Sequence, residues 1–126
     1  MDAETILVGH SSGAVAVMRY TETRKILGSV LVAAYTTDLG YESEKQSGYF
    51  NQPWEWEAIK DNQQWVAVFV SDTDPYIPIE QAEEIAQRLD AEYYNLPGRG
   101  HFGSDVLQLP EIVEVIKRHL VLHVHS

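Results

Sequence analysis

The sequence contains no cysteine. Disulfides and thiolate metal sites are excluded, and nothing in the chain demands an oxidising compartment. Basic residues are scarce: nine Lys and Arg stand against 19 Asp and Glu, for a formal net charge of −10. A nucleic-acid partner would need a basic face to meet its phosphates, and an anionic membrane surface would need the same, so neither partner is expected. The acidic balance reads as a solvated surface. Long apolar runs are missing as well. The longest, at 30–35 and 65–70, fall far short of the roughly 20 residues that cross a bilayer. The start, Met1-Asp2-Ala3-Glu4, has neither the basic opening nor the apolar core of a secretory signal. An intracellular protein is expected, in the cytoplasm and with the nucleus open to it. There is no internal repeat or low-complexity tract, and 126 residues suit a single domain.

What the chain does contain is centred on Gly9-His10-Ser11-Ser12-Gly13. An apolar run, Ile6-Leu7-Val8, enters it, and a small-residue apolar segment from Gly13 to Met18 leaves it. This is G-x-S-x-G between a predicted strand and a predicted helix, the context in which that pattern forms a nucleophile turn. The turn would hold Ser11 in a strained backbone conformation with its hydroxyl clear of the sheet. Gly9 and Gly13 are expected because a Cβ at either position would strike the neighbouring strand or helix. A Ser/Gly turn without chemistry is the bland alternative.

The remaining segments alternate. Residues 5–8 read as a short buried strand and 13–20 as a helix apolar nearly all round. Gly28 to Val32 is a second buried strand, which implies a parallel pair with a right-handed crossover. Residues 36–64 form a long polar connector containing Tyr49, Phe50, Trp54 and Trp56. Pro53 suits the first turn of a helix through Ile59. A connector of this length is usually functional, and its aromatics suggest a cap over a substrate pocket, although packing onto the sheet would use them too. Trp65 to Val70 is the third strand. A helix over 80–89 carries the stripe Ala82, Ile85, Ala86 and Leu89. Residues 92–96 form the fourth strand, and Pro110 starts a last helix with Ile112, Val113, Ile116 and Leu120 toward the sheet. His123 and His125 are too few for a metal site, and a frayed tail is expected there.

In an open parallel sheet, functional groups gather outside the carboxyl ends of the strands. Three such ends carry reactive side chains: Ser11, Asp74 and His101. Their order is that of the α/β-hydrolase triad. Ser11 would attack a carbonyl carbon, His101 would take and return the proton, and Asp74 would orient the imidazole. The backbone amide of Ser12 would donate to the oxyanion. Asp72 is a second choice for the acid, set back because it lies nearer the strand end. It also suits a turn residue bonding its own backbone. His10 should point away from the nucleophile into packing or a local hydrogen bond. His119 reads as a surface or half-buried residue, and Arg99 as solvated, with steering of an anionic substrate a lesser choice.

Those residues, with the segments 6–14, 31–40 and 47–50, Pro53-Trp54-Glu55-Trp56, Asp74-Pro75 and Gly100-His101-Phe102, resemble the retinoblastoma-binding protein 9 family of small serine hydrolases with the α/β-hydrolase fold. The resemblance runs from Glu4 to about Leu120. It implies a serine hydrolase without cofactor or metal, acting on a small ester or amide, with Ser11, Asp74 and His101 matching the family triad. It also implies the retinoblastoma protein as a partner, by resemblance only, since the family's L-x-C-x-E segment is absent from this cysteine-free sequence.

The family fold has βα units before the nucleophile strand, about 60 residues at roughly 30 per unit. They include a glycine-bearing loop that gives the second oxyanion donor. The expectation is thus a partial α/β-hydrolase fold: about four parallel strands flanked by helices, the earlier strands missing and the first strand an open edge. Loss of one oxyanion donor costs about 10²–10³ in kcat. The alternative to a serine hydrolase is therefore a truncated, weakly active or inactive form that acts by binding.

Overall fold

The computed structural model describes residues 4–99, 101 and 109–125, with side chains as far as residue 119. Gly100, Phe102, and the side chains of Leu120, His123 and His125 lie outside the described residues. The elements follow in the order β1 (Ile6–His10), α1 (Ser12–Thr21), β2 (Gly28–Val32), α2 (Glu42–Gln46), α3 (Trp56–Asp61), β3 (Trp65–Val70), α4 (Ile79–Leu89), β4 (Glu92–Asn95) and α5 (Pro110–His125). The strands pair in sequence order, all parallel. Parallel neighbours cannot be joined by a hairpin, so each connection carries at least one helix across.

Side chains alternate across the sheet and divide the core into two layers. Leu31, Val66, Val68 and Val70 face α1, α3 and α4, where they meet Ala14, Val15, Met18, Ile59, Ala82, Ile85 and Leu89. Val30, Val32, Ala67 and Phe69 face the other way, onto Ile112 and Val115 of α5. The register sets Leu31 beside Val68 and Val32 beside Phe69, so each layer is continuous between the two central strands. Strands buried on both faces lose the apolar–polar alternation, which is why 28–32 and 65–70 read as unbroken apolar runs. Each fully buried Val, Leu or Phe contributes roughly 1.5–3 kcal/mol.

Three expectations need correction. α3 opens at Trp56, not at Pro53. The carbonyls of Tyr49, Gln52 and Pro53 are all taken by the Arg19 guanidinium, and Glu55 keeps a non-helical backbone. In α5, Val113 is exposed, and the sheet-facing positions are Ile112, Val115 and Ile116. That spacing of three and four continues to His119, whose ring stacks on Trp65 at 4.1 Å. α5 also runs on to His125, where a frayed tail was expected.

Candidate active site

β1 hands directly to α1 through Ser11. The Ser11 N–H still donates to Val32 O at 2.8 Å, as a continuation of the β1–β2 ladder. One residue later the chain is helical, and the turn is made by Ser11 at φ 60°, ψ −120°. A non-glycine residue there costs on the order of 1–3 kcal/mol, held by the structure around it. Gly9 makes the close approach possible. A Cβ on it would lie 2.5 Å from Gly13 O and 2.6 Å from Ala14 N, both backbone atoms. Gly13 does not share this constraint, because a Cβ there would meet nothing within 4 Å. The expectation that both glycines avoid a collision is thus met only at Gly9.

The loops after β3 and β4 bring the other two groups to the same end of the sheet. His101 Nε2 lies 3.0 Å from Ser11 Oγ, and His101 Nδ1 lies 2.8 Å from Asp74 Oδ2. With its proton on Nδ1, the imidazole donates to Asp74 and accepts from the serine hydroxyl, the arrangement a general base needs. The Asp74 side chain is almost wholly buried, while that of His101 is about a quarter exposed. Asp72 does not reach His101. One of its oxygens accepts from the Gly98 N–H at 3.4 Å, and Ser71 Oγ accepts from the Arg99 N–H at 3.0 Å. These bonds fasten the loop before His101 to the loop that carries Asp74. Arg99 is exposed, as its reading as a solvated side chain expects, and pairs at the surface with Glu111 at 2.6 Å.

A cavity of about 230 Å³ opens over Ser11 and His101. Its walls are Tyr35, Leu39, Tyr41, Tyr76 and Ile77, with Ser12 and Glu44 beside Ser11. Tyr49, Phe50, Trp54 and Trp56, expected to line it, do not. They pack against the core layer under α1. Their rings form a chain from the cavity wall outward: Phe50 stacks on Tyr35 at 5.8 Å, and Trp54 follows Phe50 at 6.3 Å, with Trp56 5.8 Å beyond. Trp54 Nε1–H is bound to Thr36 O at 3.0 Å, and Arg19 covers the Trp54 ring at 3.7 Å. The connector thus buries its aromatics behind the pocket and presents α2 to it.

α2 contributes Glu44. The Ser12 hydroxyl lies 2.9 and 3.1 Å from the two Glu44 carboxylate oxygens and 2.8 Å from the Tyr35 hydroxyl. Tyr35 O–H also donates to Glu44. Burial, reinforced by the Glu44 carboxylate, pushes the Tyr35 phenol up to about 12. Ser12 opens α1, so its backbone N–H is among the first-turn amides that have no acceptor within the helix.

Residues 1–118 match a family model described as serine hydrolase. The chain belongs to the serine hydrolase family. It is 47% identical over 116 residues to Serine hydrolase RBBP9 of Rattus norvegicus, covering 92% of this chain and 61% of that protein. Against YdeN of Bacillus subtilis (strain 168) it is 30% identical over 121 residues, covering 89% of this chain and 62% of that protein. The chain therefore spans about three fifths of the length of these relatives. The crystal structure of the ydeN gene product superposes with a TM-score of 0.83 at 24% identity, covering 96% of this chain and 68% of the other. The acylaminoacyl peptidase of Pyrococcus horikoshii gives 0.65 at 12% identity, covering 95% and 25%. Likenesses this remote in sequence show the fold, which is that of the α/β-hydrolases.

No helix among the described residues is long and apolar enough to cross a membrane. No group of three or more His, Cys, Asp or Glu among them is placed to hold a metal ion. The sequence reading missed Glu44, Tyr35 and Tyr76. Glu44 lies in a polar connector where nothing in its spacing distinguishes it from neighbouring carboxylates. Tyr35 and Tyr76 carried a signal that was available, since each follows a strand end on the same side of the sheet as Ser11, Asp74 and His101.

Proposed function

We propose that the protein hydrolyses a carboxylic ester or small amide through an acyl-enzyme on Ser11. One observation carries this reading: Ser11 Oγ, the His101 ring and Asp74 form a continuous relay of 3.0 and 2.8 Å at the mouth of a cavity. In the forward step Ser11 Oγ bonds to the substrate carbonyl carbon while its proton passes to His101 Nε2. Negative charge moves to the carbonyl oxygen, where the Ser12 N–H and the N-terminal end of α1 stabilise it. Collapse breaks the bond to the leaving alcohol or amine, which takes the proton from His101. Water, deprotonated by the same ring, then attacks the ester on Ser11; the bond to Ser11 Oγ breaks, Oγ takes the proton back from His101, and the acid is released. A small-molecule substrate suits the 230 Å³ cavity.

An active-site-directed fluorophosphonate tests the reading. Labelling is expected on Ser11 and is expected to vanish in Ser11→Ala; labelling that persists in that variant removes Ser11 as the nucleophile. A second reading, a weakly active chain that acts by binding, has one observation in its favour: among the described residues β1 pairs with β2 alone, leaving a strand edge able to take another strand. Equal, near-background turnover by the chain and by His101→Ala would support it.

A further inference from the structure

His10 was expected to make a local contact away from the nucleophile. Instead its side chain reaches across 91 residues of sequence to the triad base. His10 Nε2 lies 2.6 Å from the backbone carbonyl oxygen of His101. The two rings are 4.9 Å apart and tilted by 43°. A carbonyl oxygen only accepts, so His10 carries a proton on Nε2 and donates it.

We propose that His10 is a positioning residue: it fixes the main chain of His101 so that the imidazole stays in register with Ser11. This rests on the hydrolase reading above. The bonds Asp74–His101 and Ser11–His101 hold the ring of the base. Neither fixes the peptide from which that ring extends. The His10 bond does, and it does so from the residue next to the nucleophile in the chain. His10 and Ser11 thus each bind His101, one at its carbonyl and one at its ring. Together with the His10–Ser11 peptide link they close a loop that ties base and nucleophile to the end of β1. A shift of the His101 main chain would then have to break a hydrogen bond before it lengthened the 3.0 Å contact with Ser11 Oγ. Misplacement of a catalytic group by about 1 Å is enough to lower a rate by roughly 10². Tyr76, edge-on to the His101 ring at 5.2 Å, limits the ring from the cavity side but offers no bond to the main chain.

Four forms of the chain test this: the parent, His10→Leu, His10→Gln and His10→Asn. Gln places an N–H donor near the reach of imidazole Nε2, Asn carries the same amide one bond short, and Leu fills space without donating. The readouts are the rate of fluorophosphonate labelling at Ser11, the kcat and KM for p-nitrophenyl acetate, and the melting temperature. The expected result is a fall in kcat and labelling rate of about 10–100-fold for Leu and Asn with little change in KM, and recovery in Gln to within a few-fold of the parent. Gln and Asn should melt alike, which separates positioning from folding even where Leu does not fold. Labelling of His10→Leu at the parental rate, or a Gln variant as slow as Asn, would overturn the proposal while leaving the hydrolase reading intact. A parent chain that is not labelled at Ser11 overturns the hydrolase reading and this inference with it.

Discussion

Asp74 divides its carboxylate between His101 and its own turn. Oδ2 lies 2.8 Å from His101 Nδ1, while Oδ1 accepts from the backbone N–H groups of Tyr76 at 2.8 Å and Ile77 at 3.2 Å. The side chain that holds the His101 ring is thereby fixed by the loop that carries it, and Pro75 stiffens that loop further. A buried carboxylate bound in this way presents one oxygen in one direction, as a fixed tautomer of the histidine requires.

Replacing that oxygen should therefore be costly in rate. Asp74→Asn keeps the volume but offers an N–H or a neutral oxygen to His101, which favours the wrong tautomer. A fall in kcat of about 10⁴ is expected, as for the equivalent change in a serine-protease triad. Asp72→Asn should stay within a few-fold of the parent, since Asp72 contacts only the Gly98 amide among the bonds described. Ester turnover by the two variants, side by side, checks the assignment; a larger loss at Asp72 would reverse it.

The Tyr35–Glu44 pair gives a prediction in pH. The Tyr35 phenol is raised from 10.0 to about 12, chiefly by burial and then by its hydrogen bond to Glu44. The folded value lies above the unfolded one, so the fold favours the neutral phenol. The resulting stabilisation is complete below about pH 10 and is lost as the pH climbs through about 12. Tyrosinate absorbance should show one component titrating near that upper value, and Tyr35→Phe should remove it. Glu44→Gln should move it downward by deleting the neighbouring negative charge. A titration unchanged in both variants would count against the pairing.

How much of this was legible in the sequence follows from what each feature depends on. The strands at 28–32 and 65–70 were readable because burial on both faces leaves an unbroken apolar run, and the α4 stripe because burial of one helix face spaces apolar residues by three and four. The convergence of Ser11, Asp74 and His101 was readable because each lies in a loop after a strand, and in a parallel sheet all strand ends of one kind lie together. The pocket was not. Its walls come from Tyr35, Leu39, Tyr76 and Glu44, whose convergence depends on how the connector folds back. The four aromatics that drew attention there pack against the core layer under α1 instead, while Tyr41 and Tyr76 supply exposed rings to the wall. His10 was misjudged for a related reason: its partner is distant in sequence, and no local pattern records such a bond.

Arg19 should be as important to the pocket as any residue that lines it. Its guanidinium donates to the carbonyls of Tyr49 at 2.7 Å, Gln52 at 2.5 Å and Pro53 at 3.0 Å, pairs with Glu22 at 2.7 Å, and lies over the Trp54 ring. This is the planar, multi-donor use for which Lys is no substitute. Arg19→Lys is expected to lose about 1.5–3 kcal/mol, the range for hydrogen bonds to a charged group, with a matching fall in melting temperature. Because Phe50 backs Tyr35, KM for a small ester should rise as the connector loosens, while labelling of Ser11 persists. A Lys variant with parental stability and KM would show that the connector is held by its aromatics alone.

The two glycines of the nucleophile turn should behave in opposite ways. Both satisfy the same sequence pattern, yet only one has no space for a side chain. At Gly9 a Cβ would sit 2.5–2.6 Å from the backbone of Gly13 and Ala14, which cannot move without opening the turn that holds Ser11 at φ 60°. Gly9→Ala should therefore destabilise by at least about 1–3 kcal/mol, as overpacking does elsewhere, and it should slow Ser11 labelling by separating β1 from α1. Gly13 lies in the first turn of α1 with open space where its Cβ would be. Gly13→Ala should be neutral or stabilising by up to about 1 kcal/mol, since alanine restricts the unfolded chain and favours the helix. Thermal melts of the two variants, read with their labelling rates, decide the point: equal damage at both positions would mean that the turn is constrained by something other than the contact between Gly9 and the start of α1.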